Sequence, residues 1–405
     1  MTPPHDFPPD RPPYGGLAAF GPVDRLLTAI AHAVRRRWNA VAIALFAAFA
    51  LAVTAIGATV TDYNWDILPY AAVAHEGEVE GAEALHAKAY AEIRAHADDR
   101  SWHQLVKGYA FREAIADDPE AFVSQLGMYR VKVVYTALLS ALSKVMNTVT
   151  AAMLINAVGA VILTGAVFLY MRREGAAGAL PFAIAVMLVS GTVTTVVGPM
   201  PDTLAAALAV AGVLLFASGR PWLAGAILIL AALTRTDNVI VMFALVLTSV
   251  VYGTGRIAAV VTFAAGLAAV LFATQGAGHP GWWPHFYHSV VALQVDMRGF
   301  APAFDPLLYA KTLIEQAAVS FYGNTWAGLI ALIALTWGVL AVRGLPMSAP
   351  ARAALLAAIL AVLGKFVVFP LPVDRVYYAQ SIAAAVILLA AARPTLALPT
   401  KKGAP

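Results

Sequence analysis

The chain has no cysteine among its 405 residues. That absence removes thiol nucleophiles, disulfides and thiolate metal sites together, and it leaves the redox compartment unmarked. Charge is scarce as well: Asp, Glu, Lys and Arg make up 12% of the sequence and hydrophobic residues 60%, whereas an ordinary soluble domain is about half apolar and a quarter charged. A soluble domain is excluded, and a polytopic membrane protein is implied. The formal net charge of +4 comes from basic residues scattered singly at segment ends, not from a patch interleaved with aromatics, so no nucleic-acid partner is expected. Chemistry must rest on carboxylates, imidazoles and cations.

The first 38 residues are proline-rich and read as a disordered cytosolic tail. Arg35, Arg36 and Arg37 end that tail before an apolar run at about 39–60. The run is long enough to span a bilayer, and the leader is too long for a cleaved signal peptide. Residues 39–393 then form the transmembrane domain, with a large outer loop at 61–147, a second at 275–324 and a short cytosolic tail at 394–405. Residues 78–97 alternate alanine with charge at helical spacing, and 100–118 mix Trp102, Tyr109 and Phe111 with charge as an interfacial helix would. Residues 130–146 decide the threading. As a span they would put Arg172, Arg173, Arg220, Arg256, Arg343 and Arg352 outside; as a juxtamembrane helix they put all six inside, as the positive-inside bias requires.

The second choice yields about ten spans: 39–60, 148–170, 178–197, 203–217, 221–234, 238–252, 256–274, 325–342, 352–369 and 376–393. Several are shorter than the roughly 20 residues an upright span needs, which implies tilt, local thinning or a recessed cavity.

The turns on the outer side carry the unusual residues. Past the first span come Asp62 and Asp66, then Tyr70, two carboxylates four apart and on one face if the segment is helical. Such a carboxylate can act as a general base; a helix cap beside an aromatic belt is the competing account. Asp202 follows Pro199-Met200-Pro201, where it would cap the next helix, act as a second acid, ligate a metal or orient an acceptor. Arg235 stands between apolar spans with Asp237 two residues on; either the two pair, or the guanidinium fork grips a phosphate. The second outer loop holds Trp282 and Trp283, which mark an interface, His285 and His288 at an i, i+3 spacing that only weakly suggests a metal, and Arg298. Asp374-Arg375-x-Tyr377 opens the last span after Lys365, offering either an anion-holding cation or a surface Asp374–Arg375 pair worth little.

These features, in this order, resemble the GT-C class of membrane glycosyltransferases. The matching elements are Asp62 and Asp66 with Tyr70, the large first outer loop, and Tyr129-Arg130-x-Lys132. They continue with Pro201-Asp202-Thr203-Leu204, Leu233-Thr234-Arg235-Thr236-Asp237 and Asp374-Arg375-x-Tyr377. The resemblance implies an all-α, GT-C-like bundle of about ten transmembrane helices in the inner (plasma) membrane, active on the periplasmic or extracellular side. It also implies a polyprenyl-phosphate-linked sugar donor and a glycan, lipid or protein acceptor. Asp66 or Asp62 would deprotonate the acceptor and Arg375 would contact the donor phosphate; Arg235, Asp202, Tyr70, Arg130, Lys132, His285, His288, Arg298 and Tyr377 would line the substrates. Only about a dozen residues follow the last expected span, so acceptor recognition should fall to the outer loops. A phosphate that leaves readily needs no metal, so no ligand set is assigned and a divalent cation stays open. The rival reading is a transporter or flippase of a lipid-linked or anionic solute. Transporters commonly show paired repeats and broken helices bearing midplane sites, and neither is expected here, since the polar residues lie at one interface.

Overall fold

The computed structural model describes residues 37–393, so the two expected tails fall almost wholly outside the described residues. The described residues are helical and contain no strand, the outcome hydrocarbon favours because a helix satisfies its own backbone groups. α1 (Trp38–Thr59) leads into a cap of short helices: α2 (Ile67–His75), α3 (Ala82–His96), α4 (Asp99–Lys107), α5 (Ala110–Asp117), α6 (Pro119–Ser124), α7 (Gly127–Arg130) and α8 (Val133–Ser143). α9 (Thr148–Arg173) enters the bundle, followed by α10 (Leu180–Val189), α11 (Thr192–Val196), α12 (Asp202–Ala217), α13 (Pro221–Thr234), α14 (Val239–Tyr252) and α15 (Arg256–Gly276). After α16 (Trp282–Phe286) and a π-helical turn at Tyr287–Val291 come α17 (Pro306–Gly323), α18 (Trp326–Val342), α19 (Ala349–Val368) and α20 (Asp374–Ala391).

Four of these, α1, α9, α15 and α19, have the length and apolarity of a span, and α17 with α18, bent by 83°, would make a fifth only if the bent pair crossed as one span. That is fewer than the ten expected from hydropathy. The other apolar helices run 10–17 residues, or roughly 15–26 Å at the α-helical rise, short of the ~30 Å hydrocarbon core. The stretch expected as one span at 178–197 breaks at Ser190 and at Gly191, whose φ is +84°, a conformation that favours glycine. α17 occupies 18 residues of the second outer loop. The stretch at 100–118, read as one interfacial helix, is two, α4 and α5, parted at Gly108 and Tyr109.

α9 packs along α1 and α12, while α20 is enclosed by α12, α18 and α19 and buried over most of its length. Small residues permit the approach: a Cβ on Gly159 would lie 3.0 Å from Thr203 Cγ2 and 3.1 Å from Leu204 N. The helices alternate in direction, so the bundle has two chemically different ends. At one, Trp38 Nε1 donates to Gly178 O at 2.8 Å, Arg173 donates to Ser218 O at 3.2 Å, and the Arg352 guanidinium lies 5.6 Å from the Tyr252 ring. This end gathers Arg37, Arg172, Arg173, Arg220, Arg256, Arg343, Arg352 and Arg393, with Glu174 as its acid. The opposite end carries the cap and the other described carboxylates. Both termini of α8 stay there: Lys132, before it, lies over the Tyr129 ring, and Ser143, its last residue, bonds Thr148 Oγ1 beside His75 and Glu92 of the cap.

Candidate functional site

The cap end brings together charged side chains from six separate stretches. Asp66 precedes α2, and its carboxylate accepts from the Tyr129 hydroxyl at 2.9 Å. Its other oxygen lies 3.7 Å from an Arg375 nitrogen. Arg375 comes from the first turn of α20, rests against Met200 Sδ, and keeps 36% of its side chain exposed. The Asp374–Arg375 surface pair, the alternative to an anion-holding cation, does not form. Adjacent helical residues point about 100° apart, and Asp374 turns the other way, accepting from Thr325 N at 2.9 Å and Trp326 N at 2.8 Å to cap α18.

Beneath this pair lies a closed ionic network. Arg235, extended just past the end of α13, donates one guanidinium nitrogen to Asp202 and two others to Asp237 at 3.2 and 3.3 Å. Lys365 of α19 is buried and reaches Asp237 at 3.2 Å. Asp202 therefore does not cap its helix as its position suggests: Pro201 is the N-cap, and the buried Asp202 carboxylate is taken by Arg235. The internal ion pair read for Arg235 is formed with Asp237 and is extended to Asp202. Charges removed from water this way persist only when paired.

Lys132 completes the site from the cap. Its ammonium donates to Met128 O at 2.8 Å, lies 4.7 Å from the Tyr129 ring and 5.4 Å from the Tyr70 ring, and sits in the field of Asp66, Arg235, Asp202 and Arg375. Burial, offset in part by Asp66, lowers its pKa to about 8. Burial and the Asp66 carboxylate hold the Tyr70 and Tyr129 phenols well above their ordinary value, so both remain neutral. Three carboxylates (Asp66, Asp202, Asp237) thus meet four cations (Lys132, Arg235, Lys365, Arg375). The excess is positive, and among these four cations Lys132 and Arg375 are the two that no carboxylate holds at hydrogen-bond distance.

A histidine pair approaches from the second loop. The backbone at 277–278 lies against α7, where a Cβ on Gly127 would collide with Gly278 O. Next to it His279 Nδ1 accepts from Gly281 N at 3.1 Å, leaving Nε2 to donate to His285 Nδ1 at 3.0 Å. Burial and then Lys132 lower His279 to about 4; burial, then His279 and Lys132, push His285 lower still. Both rings are neutral near pH 7.

Other sequence-selected residues lie elsewhere. Asp62 sits in a non-helical stretch, so it does not share a face with Asp66; its N–H donates to Val197 O at 2.9 Å, and its side chain is exposed with no partner among the described residues. Arg130 pairs with Glu76 and donates to Ala277 O at 3.4 Å. His288 turns away from His285: its Nδ1 accepts from Gln294 N at 3.0 Å, holding the loop's own backbone, and burial lowers it to about 4. Arg298 is a surface residue bonded to Asp296 and Glu120. Tyr377 is fully buried and stacks on Trp326 at 4.1 Å between centroids. Among the described residues no group of three or more His, Asp or Glu is placed to hold a metal. Sequence reasoning overlooked Tyr129, the hydroxyl on Asp66, although it heads the motif containing Lys132. It also overlooked Tyr135, whose ring meets Tyr70 at 5.0 Å, and Tyr378, whose hydroxyl lies 3.4 Å from Asp202 O.

What the arrangement offers chemically is a carboxylate with one oxygen loosely held, beside two cations able to receive an anion. Comparison with family models, with curated proteins and with solved structures finds no match to this chain, so a functional reading rests on this geometry and on the sequence.

Proposed function

We propose that the chain is a multi-pass glycosyltransferase of GT-C type in the inner (plasma) membrane, moving a sugar from a polyprenyl-phosphate donor to a glycan, lipid or protein acceptor. The observation that supports it most is the convergence of Asp66, Arg375 and Lys132, from three distant parts of the chain, at one end of an apolar bundle. Asp66 takes the proton of the acceptor hydroxyl as its oxygen attacks the anomeric carbon. The bond from that carbon to the donor phosphate breaks, its electron pair leaves on the phosphate oxygen, and Arg375 and Lys132 offset the charge that develops. The Asp202–Arg235–Asp237–Lys365 network holds the floor of the site. In this reading the shorter apolar helices complete a bundle of about ten spans by tilting or by thinning the bilayer. The arginine-rich end faces the cytosol, which puts the cluster on the periplasmic or extracellular side.

Replacing Arg375 by alanine should weaken binding of polyprenyl phosphate about tenfold, the worth of one hydrogen bond between charged partners; unchanged affinity in the inserted protein would remove Arg375 from the donor site. Affinity should also fall as pH rises through about 8, because the Lys132 ammonium is present below that value and lost above it. Lys132→Arg should abolish that fall, since guanidinium does not titrate there; an identical pH profile in the variant would exclude Lys132. Purified protein given a panel of lipid-linked sugars should release glycosylated product detectable by mass spectrometry. Counterflow of an unmodified solute in proteoliposomes, without product, would favour a carrier instead.

A further inference from the structure

α17 turns its apolar side outward and its hydroxyls inward. Leu307, Ile314 and Phe321, seven residues apart and therefore on one face, are 79%, 72% and 75% exposed, with Ala310 and Ala318 between them also exposed. Thr312 and Ser320 are buried on the other side, each hydroxyl donating to the carbonyl four residues back at 2.8 Å. In water this amphipathic order would be inverted. Lys311 and Glu315 border the apolar stripe on one side and pair with each other at 3.7 Å.

The helix also lies across the bundle. Its axis makes 83° with α18. Near its start the Tyr309 hydroxyl donates to Val367 O at the end of α19, where Trp282 Nε1 donates to Val368 O at 2.9 Å. Beyond its end, Thr325 and Trp326 are held by Asp374. Both termini are thus tied to the cluster end, and α18, joined at right angles, continues the exposed apolar surface through Leu332, Leu335 and Val342. We infer that α17 is an in-plane helix whose Leu307–Ile314–Phe321 stripe is covered by lipid at the headgroup and acyl boundary of the leaflet on the cluster side. Lys311 and Glu315 then face the headgroups, neutral as a pair, so seating depends on apolar contact and not on anionic lipid. The elbow that the membrane holds is pinned one residue from Arg375, whatever chemistry the cluster performs.

Because the chain has no cysteine, one introduced cysteine gives a unique label on the full-length protein. Leu307→Cys, Ile314→Cys, Phe321→Cys and Glu315→Cys would carry a nitroxide in phosphatidylcholine vesicles, with and without phosphatidylglycerol. Labels at 307, 314 and 321 should share one shallow depth and collide several-fold more with oxygen than with a water-soluble nickel chelate. The label at 315 should favour nickel, and phosphatidylglycerol should change neither result. Depth rising steadily along the helix would make it a re-entrant segment. Nickel-dominated collisions at all four positions would make the stripe water-facing, and dipolar broadening between labels would make a second copy its cover. Any of these, or a requirement for anionic lipid, overturns the inference.

Discussion

Asp66→Asn is expected to lower sugar transfer by roughly 10²–10⁴-fold, the range in which a positioned general base contributes, while Asp62→Asn leaves the rate near that of the parent protein. The pair separates two carboxylates that composition and spacing treat alike. Asp66 accepts from Tyr129 at 2.9 Å and faces Arg375 at 3.7 Å, whereas Asp62 is exposed and outside the network. Asparagine keeps an oxygen for the Tyr129 hydroxyl, so the variant should fold and insert normally; only its capacity to take a proton disappears. Turnover of a polyprenyl-phosphate-linked sugar by variants matched for thermal unfolding is the deciding measurement. Equal rates for Asp66→Asn and the parent would end the assignment, and a loss confined to Asp62→Asn would transfer it.

The second large effect concerns stability. Arg235→Ala should cost about 3–5 kcal/mol, because it leaves the carboxylates of Asp202 and Asp237 without their main partner in a buried setting. The Asp202 side chain is 4% exposed and the Asp237 side chain 22%, so water can do little to compensate. Asp202→Ala should be costly for the same reason, since it leaves Arg235 held by Asp237 alone. The double variant Asp202→Ala/Arg235→Ala should be clearly less unstable than the two single costs added together, because residues of one network couple. Equilibrium unfolding in detergent micelles reads all three. Strict additivity would mean that the Asp202–Arg235 contact contributes nothing to stability.

Much of the architecture is legible in the order of residues. Continuous apolar runs bounded by arginine or by proline-and-acid turns dictate helices, since a polar backbone in hydrocarbon has few other solutions. The same runs place Arg172, Arg220, Arg256 and Arg352 opposite Asp202, Arg235 and Arg375, because alternating helices of similar length carry their ends to alternating sides. The helical character of the 61–147 loop follows from its periodic alanine and charge, seen in α3. Hydropathy is less informative about length. It marks where a segment is apolar, not whether the helix continues, and Gly191 stops one that composition alone would carry through to Val197.

Chain order alone establishes an all-helical protein suited to a bilayer, with acids and cations segregated to the ends of its apolar segments; these follow from composition and periodicity, which are local. Which of those charges meet was decided by packing. Asp374 and Arg375 are neighbours in sequence, yet they serve different helices because consecutive residues diverge around a helix axis. Asp66 and Arg375 are far apart in the chain, yet meet because α2, α12 and α20 end at one level. The direction of α17 was likewise settled only by its anchors at Val367 and Asp374, since an amphipathic stripe specifies a face to be covered and leaves open what lies against it.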